Sequence, residues 1–321
     1  TGMPSEFELI ERHFSRATPQ ATLGPGDDCA LLTPTPGMSL AITTDMLVAG
    51  THFLPDTDPG QLGWKTLAVN LSDLAAMGAR PRWALLAASL PAADTAWIGA
   101  FADGLFACAS HYGVDVVGGD TTRGPLNLCL TALGELPAGT ALQRNHAVPG
   151  DELWVSGQPG LAALGLAQLQ GRTQLPAELA RRCLDALQRP MARVELGLEL
   201  RQRGLAHAAI DVSDGLLADL DHILKRSGVA AEVFVAQLPP LPTGVDPLLA
   251  RQCQLAGGDD YELVFSAPPD KRAEITELAA QLALPLWRFG LVVGTGDSRL
   301  RLLDADGQAQ AFNERGFDHF G

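Results

Sequence analysis

Aspartate beside glycine or a hydroxyl residue recurs in six short clusters: GPGDDC at 24–29, TTD at 43–45, NLSD at 70–73, GGDTTRG at 118–124, DVSDG at 211–215 and GGDDYE at 257–262. Carboxylate and hydroxyl oxygens are the donors that hard divalent cations prefer, and Mg²⁺ commonly binds through a few carboxylates together with substrate phosphates. Asp28, Asp45, Asp73, Asp120 and Asp211 could converge on one such site. Without cations the same cluster would repel itself and raise its own pKa values. Cations bridging carboxylates to phosphates would remove the conflict and neutralise charge in a transferring phosphoryl group. The glycines of GGDTTRG offer backbone that a phosphate can approach closely, with Thr121, Thr122 and Arg123 as nearby donors. Each cluster alone has a plainer reading. Gly, Pro and Asp are ordinary turn residues, Asp214 suits a helix cap, and Asp219 suits the solvated face of the helix that follows.

The elements that must carry these residues follow from hydrophobic period and turn chemistry. PSEFELIERHFSRA, with Phe7, Ile10 and Phe14 at helical spacing, predicts an opening helix. SLAITTDML predicts a strand that runs into Thr43, Thr44 and Asp45. GQLGWKTLAVNLSDLAAMGA is helical in pattern, with an interruption expected at NLSD, where Ser72 or Asp73 could cap or kink it. RWALLAASL reads as a buried strand, 94–112 as a helix, VDVVGGD and LNLCLTALGEL as strands. RNHAVPGDELWVSG reads as a linker entering a new strand, which places a boundary near residue 145 and gives domains of 3–145 and 146–321. Beyond it come Ala- and Leu-rich helices over 159–204, the strand HAAIDV, a helix from Gly215 to Ser227, the strand AEVFV, a Pro-rich loop, the strand YELVFSA, a helix near 269–283 and the strand LWRFGLVVG. AITTD, DVVGGD and AAIDVSDG each put acids where an apolar run ends, and in open α/β sheets ligands bind outside strand ends.

Composition narrows the function classes. The chain has 321 residues, 46% apolar and 19% charged, long enough for two domains with real cores. A net charge of −14 disfavours a nucleic-acid partner, which would be held by Lys and Arg. Lys65, Lys225 and Lys271 are the only lysines, and none stands in a P-loop or protein-kinase context. Cys29, Cys108, Cys129, Cys183 and Cys253 are scattered without a C-x-x-C pair, as expected of reduced thiols in a cytoplasm and not of a zinc or disulfide framework. No stretch is long and apolar enough for a membrane helix, and the first residues lack the pattern of a signal peptide. A soluble, cytoplasmic protein without membrane partners is expected. Thr1 and Gly2 precede Met3 and read as a cloning remnant.

Taken in order, GPGDDCALL, TTDMLVAGTHF, NLSDLAAMGARP, GGDTTRGP, AIDVSDGLLADL and GGDDYELVF resemble the bacterial thiamine-monophosphate kinases over nearly the whole chain. The resemblance implies an α/β, two-domain fold like that of aminoimidazole ribonucleotide synthetase, with an N-terminal domain whose sheet pairs with a second subunit in a homodimer and a C-terminal α/β domain. It implies ATP-dependent phosphorylation of thiamine monophosphate to thiamine diphosphate, the last step in making that cofactor, by direct transfer among several Mg²⁺ ions. Carried over motif by motif, it implies Asp28, Thr43, Thr44, Asp45, Asp73, Asp120, Asp211 and Asp214 as metal ligands. It implies Gly119, Asp120, Arg144 and Ser213 as ATP contacts, and His52, Asp259 and Phe317 on the thiamine-phosphate side. The family often has Glu at the position of Asp259 and Tyr or Trp at that of Phe317, which bears on fine substrate contacts. No protein base is required, since a substrate phosphate oxygen is already an anionic nucleophile. Selenophosphate synthetase and aminoimidazole ribonucleotide synthetase are rival readings; the former relies on an N-terminal Cys or selenocysteine with a Lys, and no Lys precedes Lys65. A non-catalytic nucleotide or Mg²⁺ sensor on the same fold is the rival from another class.

Overall fold

The computed structural model describes residues 5–310. Their contacts divide them into two compact units, one running to Leu74 and over Ala79–Thr140, the other formed by Ala75–Gly78 and the chain from Ala141 on.

In the first unit the expected opening helix is instead a short α1 (Glu6–Leu9) followed by a π-helical turn at Ile10–Phe14, which ends on an extended Ser15. β1 (Met38–Val48), β2 (Arg80–Leu90), β3 (Asp115–Arg123) and β4 (Asn127–Pro137) form a sheet of order β1-β4-β2-β3, antiparallel except for β2 with β3. α2 (Pro59–Met77) and α3 (Thr95–Tyr112) supply its other elements. Leu67, Leu71, Leu74, Phe101 and Leu105 are buried with Leu128 and Leu130 of β4. α3 begins where expected because Asp94 accepts the N–H groups of Ala96 and Trp97. α2 is not interrupted at NLSD. Its mid-helix polar groups turn back on their own helix, Thr66 donating to the Leu62 carbonyl and Asn70 to that of Thr66, so the backbone ladder survives. β2 is not uniformly buried: Leu85 and Ala87 are exposed.

In the second unit β5 (Glu152–Ser156), β6 (Ala208–Asp211), β7 (Ala230–Phe234), β8 (Leu263–Ala267), β9 (Leu286–Val293), β10 (Leu300–Leu303) and β11 (Ala309–Gln310) make a seven-stranded sheet. Its order is β11-β10-β7-β9-β5-β8-β6, with β10 and β7 parallel and the other pairs antiparallel. α4 (Leu161–Leu169), α5 (Ala177–Gln188), α6 (Val194–Gln202), α7 (Leu216–Ser227), α8 (Pro247–Ala256) and α9 (Arg272–Leu282) accompany it. Leu216, Leu217, Leu220, Ile223 and Leu224 of α7 pack with Leu153, Ile210, Val233, Val264 and Phe289 of the sheet. α8 lies in a stretch read as loop from its prolines. Pro247 occupies its first turn, where a missing N–H costs nothing, and Asp246 accepts the Leu248 N–H as the cap.

Candidate active site

β1 places the TTD cluster by its period of two. Thr43 and Asp45 lie half-buried on one face, while Leu40, Ile42, Thr44 and Met46 lie exposed on the other. Asp73 comes to the first face from α2, and its Oδ2 accepts the Thr43 hydroxyl at 2.7 Å. Asp45 and Asp73 are also hydrogen-bonded to each other. Burial, then the charge of Asp73, then that bond push the Asp45 carboxyl up to about 7. Two carboxylates this close hold a proton between them unless a cation replaces it. Thr44 is turned away: its hydroxyl bonds the Leu130 carbonyl at 3.1 Å and the Thr131 hydroxyl at 3.1 Å, so it is not among the oxygens gathered at Asp45.

Asp28 and Asp120 come together differently, along a cavity of about 750 Å³ in the same unit. One wall is Pro25–Ala30 and another is the β3 stretch Val116–Thr121, with Leu85, Leu86 and Phe14 beside them. The loop carrying Asp27 and Asp28 is pinned at both ends. The Gln20 N–H binds Asp115 at 2.7 Å and its carbonyl accepts the Trp83 indole N–H. At the other end Thr35 gives its N–H and hydroxyl to Glu135, which Arg82 also contacts at 2.9 Å. Those bonds and the Arg82 charge draw the Glu135 carboxyl below its ordinary range, against the opposing pull of its burial. On β3 a bulge opposite Ala84 and Leu85 shifts the register, and Gly119 follows at φ 154°. A Cβ there would sit 1.9 Å from the Leu86 carbonyl oxygen, so only glycine lets β3 pass that point with Asp120 exposed after it. His52, on the turn after β1, is exposed, and its Nδ1 accepts the Val48 N–H at 2.9 Å, which leaves the ring proton on Nε2.

In the second unit Asp211 closes β6, buried, and the chain turns through Ser213 and Asp214 into α7. The GGDDYE loop is stitched to this turn: Val212 donates to the Glu262 carbonyl, Tyr261 to that of Val212 and Asp259 to that of Ser213, at 2.8, 2.8 and 2.9 Å. Asp259 and Tyr261 hold φ of 65° and 54°, uncommon for residues with a Cβ, and the Tyr261 hydroxyl donates to Asp259 Oδ1 at 3.2 Å. The other two acids of the cluster face inward. Asp260 accepts the Gly160 N–H at 2.9 Å, and burial raises its pKa well above the ordinary value. Glu262 accepts two bonds from Arg193 at 2.7 Å and the Ser156 hydroxyl at 2.5 Å. Arg144 is exposed, with its carbonyl held by the Ser227 hydroxyl at 2.7 Å. Phe317 lies outside the described residues.

Asp219 overturns its expected place on a solvated helical face. It is 3% exposed, and its Oδ2 accepts the N–H groups of Ser213, Asp214 and Gly215. Burial lifts its carboxyl to about 6 against the pull of those amides. A ligand atom from each of Asp214, Asp219 and His222 lies within 4.8 Å of the others. Sequence reasoning missed Asp219, and the one available signal was its place in the first turn after SDG.

Two family models match the chain: AIR synthase related protein, N-terminal domain, over residues 26–136, and AIR synthase related protein, C-terminal domain, over residues 148–302. A thiamine-monophosphate kinase of Salmonella typhimurium is 46% identical over 322 residues, covering 98% of this chain and 98% of its own. The crystal structure of thiamine-monophosphate kinase from Stenotrophomonas maltophilia K279a matches with a TM-score of 0.84 at 47% identity, over 94% of this chain and 95% of that one. The structure of AaThiL complexed with AMPPCP and TMP matches with a TM-score of 0.73 at 27% identity, over 94% and 92%.

Proposed function

We propose that this chain, which belongs to the AIR synthase-related family and within it to the thiamine-monophosphate kinases, uses its aspartate clusters to hold Mg²⁺ for phosphoryl transfer. The chain is an ATP-dependent kinase that phosphorylates thiamine monophosphate. The observation that carries the metal reading is the Asp45–Asp73 contact, where burial and a second carboxylate both oppose ionisation. Oxygen donors left in that state fit a hard cation. In the first unit Asp28, Thr43, Thr44, Asp45, Asp73 and Asp120 are the proposed ligands, Thr44 through its backbone since its hydroxyl faces away. In the second, Asp211 and Asp214 are. When bound, Mg²⁺ offsets charge on the phosphate oxygens of both substrates.

The chain's own residues then have defined work. A phosphate oxygen of thiamine monophosphate attacks the γ-phosphorus of ATP, the bond to the bridging oxygen breaks, and ADP leaves with that electron pair as thiamine diphosphate forms. The nucleophile arrives ionised, so no side chain needs to remove a proton, and catalysis rests on alignment and charge. Gly119 would let the ATP phosphates approach the backbone, with Asp120, Arg144 and Ser213 as further nucleotide contacts. His52 would present its Nε2–H to an anionic oxygen of the acceptor, and Asp259 and Phe317 would meet the thiamine part.

A homodimer is proposed through the outer face of the first unit's sheet, where Ile42, Met46 and Leu85 stand exposed in an apolar patch of the kind that marks interfaces. Working domains of 3–145 and 146–321 are proposed, supported by the division of the described chain at Thr140 and Ala141. No helix among the described residues is long and apolar enough to cross a membrane. The five cysteines are free thiols, which supports the proposal of a cytoplasmic site of action.

The test offers the protein ATP and Mg²⁺ with either thiamine monophosphate or free thiamine, and identifies the products. Thiamine diphosphate and ADP are expected from the first. Free thiamine brings a neutral alcohol that would need a base, so its kcat/KM is expected to be lower by about a thousandfold or more. Comparable values for the two acceptors would overturn this account of the acidic clusters.

A further inference from the structure

Asp219 is a buried charge that the reaction described above does not use. Removing it would leave three peptide N–H groups without their acceptor, so part of its role is structural. What the carboxylate adds is orientation. Its Oδ2 holds three successive peptide N–H groups, of Ser213, Asp214 and Gly215, at 3.0, 3.0 and 3.2 Å. These are charge-assisted bonds, and the first turn of α7 contributes the favourable end of its dipole. The turn has little room to settle elsewhere: at Gly215, φ 147°, a Cβ would sit 2.9 Å from the Ala256 carbonyl oxygen. From the same turn the Ser213 carbonyl accepts the Asp259 N–H at 2.9 Å, and the Val212 carbonyl accepts that of Tyr261 at 2.8 Å.

We propose that Asp219 is a positioning residue for the transfer: its carboxylate sets the Ser213–Gly215 turn and, through the Ser213 carbonyl, the backbone of Asp259, so that nucleotide-side and acceptor-side groups of this unit are held as one piece. The proposal rests on the reading of Ser213, Asp214 and Asp259 given above. It assigns Asp219 to the peptide groups and not to a cation shared with His222.

The experiment compares Asp219→Ala, Asp219→Asn, His222→Ala and Asp151→Asn in the full chain. Asp151 is a carboxylate 1% exposed at the opposite end of the same sheet, bonded to the Val148 N–H and His207, and it controls for the loss of any buried acid. The readouts are calorimetric affinity for a non-hydrolysable ATP analogue with Mg²⁺, kcat and KM for thiamine monophosphate, and amide exchange over 212–216 and 257–262. Asp219→Ala is expected to weaken the analogue about tenfold, about 1.4 kcal/mol, and to speed exchange in both segments. Asp219→Asn keeps one acceptor oxygen and is expected to fall between Ala and wild type. Asp151→Asn is expected to lower Tm while leaving analogue affinity and both segments unchanged, and His222→Ala to leave affinity unchanged. Wild-type affinity and wild-type exchange at 257–262 in folded Asp219→Ala would overturn the proposal, as would a His222→Ala variant that loses affinity equally. Where Asp219→Ala fails to fold, the same criteria applied to Asp219→Asn decide. Failure of the wild type to phosphorylate thiamine monophosphate would strike the reaction, while the exchange data would still report whether Asp219 links the two loops.

Discussion

The Asp45–Asp73 contact of the first unit and the Asp219, Asp260 and Glu262 carboxylates of the second are all acids drawn out of water, yet their charges are answered differently. At Asp45 every influence pushes toward the protonated form: burial, the neighbouring carboxylate and the bond to it. At Asp219 burial is opposed by three backbone amides, at Asp260 by those of Gly160 and Ala162, and Glu262 meets the Arg193 guanidinium through two bonds. Asp219 and Glu262 are answered from within the chain and hold loops, while at Asp260 burial and the Glu262 and Asp259 charges still prevail over the amides. The Asp45–Asp73 pair has no such answer among the causes acting on Asp45, and the proposed cation would supply it from outside.

If that distinction holds, substitutions in the two places should fail in opposite ways. Asp45→Asn is expected to lower kcat/KM by about a thousandfold or more, about 4 kcal/mol, with no fall in the Tm of the metal-free protein, since a repelling charge is gone. Steady-state kinetics and circular dichroism check both halves. Arg193→Ala is expected to act on stability, leaving Glu262 buried without its guanidinium at a cost of about 3 kcal/mol, read from denaturant unfolding.

The pH dependence sharpens the same contrast. A carboxyl raised from 3.8 to about 7 in the folded state binds a proton that the unfolded chain has already released. The Asp45 contribution to the stability of the metal-free protein therefore falls as pH rises from about 4 to about 7 and then levels, and added Mg²⁺ is expected to flatten that fall. Thermal melts of wild type and Asp45→Asn across this range isolate that contribution, and a wild-type advantage that grows with pH would contradict the Asp45–Asp73 pairing. The smallest effect is expected from Thr43→Val, which removes one hydroxyl from Asp73. A loss of about 1 kcal/mol in stability, with kcat/KM reduced no more than about tenfold, is the expected outcome by unfolding and kinetics.

Much of this was legible in the sequence, because acids at the ends of apolar runs mark strand ends whatever the tertiary detail. The strand through TTD and the turn after AAID stand where the pattern put them. What the pattern missed has physical causes. TTD stands as one cluster in the sequence, but the strand's period of two sends the Thr44 side chain to the face opposite Thr43 and Asp45. NLSD suggests a break because Ser72 or Asp73 could cap or kink the helix, but the Asp73 carboxylate accepts the Thr43 hydroxyl and Asn70 bonds back to the Thr66 carbonyl, so α2 runs through. The prolines before GGDDYE hid α8, since Pro247 opens a helix as readily as it fills a loop. Asp219 was assigned to solvent because charge predicts exposure, and its three amide partners become its neighbours only once the turn before α7 is formed.

The proposal is that the Asp45–Asp73 pair is completed by a cation, whereas Asp219 and Glu262 are complete already. Its most direct test is the Mg²⁺-induced shift in Tm at pH 8, measured without nucleotide on wild type, Asp45→Asn and Arg193→Ala. Mg²⁺ is expected to raise the Tm of wild type and of Arg193→Ala by the same increment, and that increment is expected to be lost in Asp45→Asn. An equal increment in Asp45→Asn, or none in wild type, would contradict it.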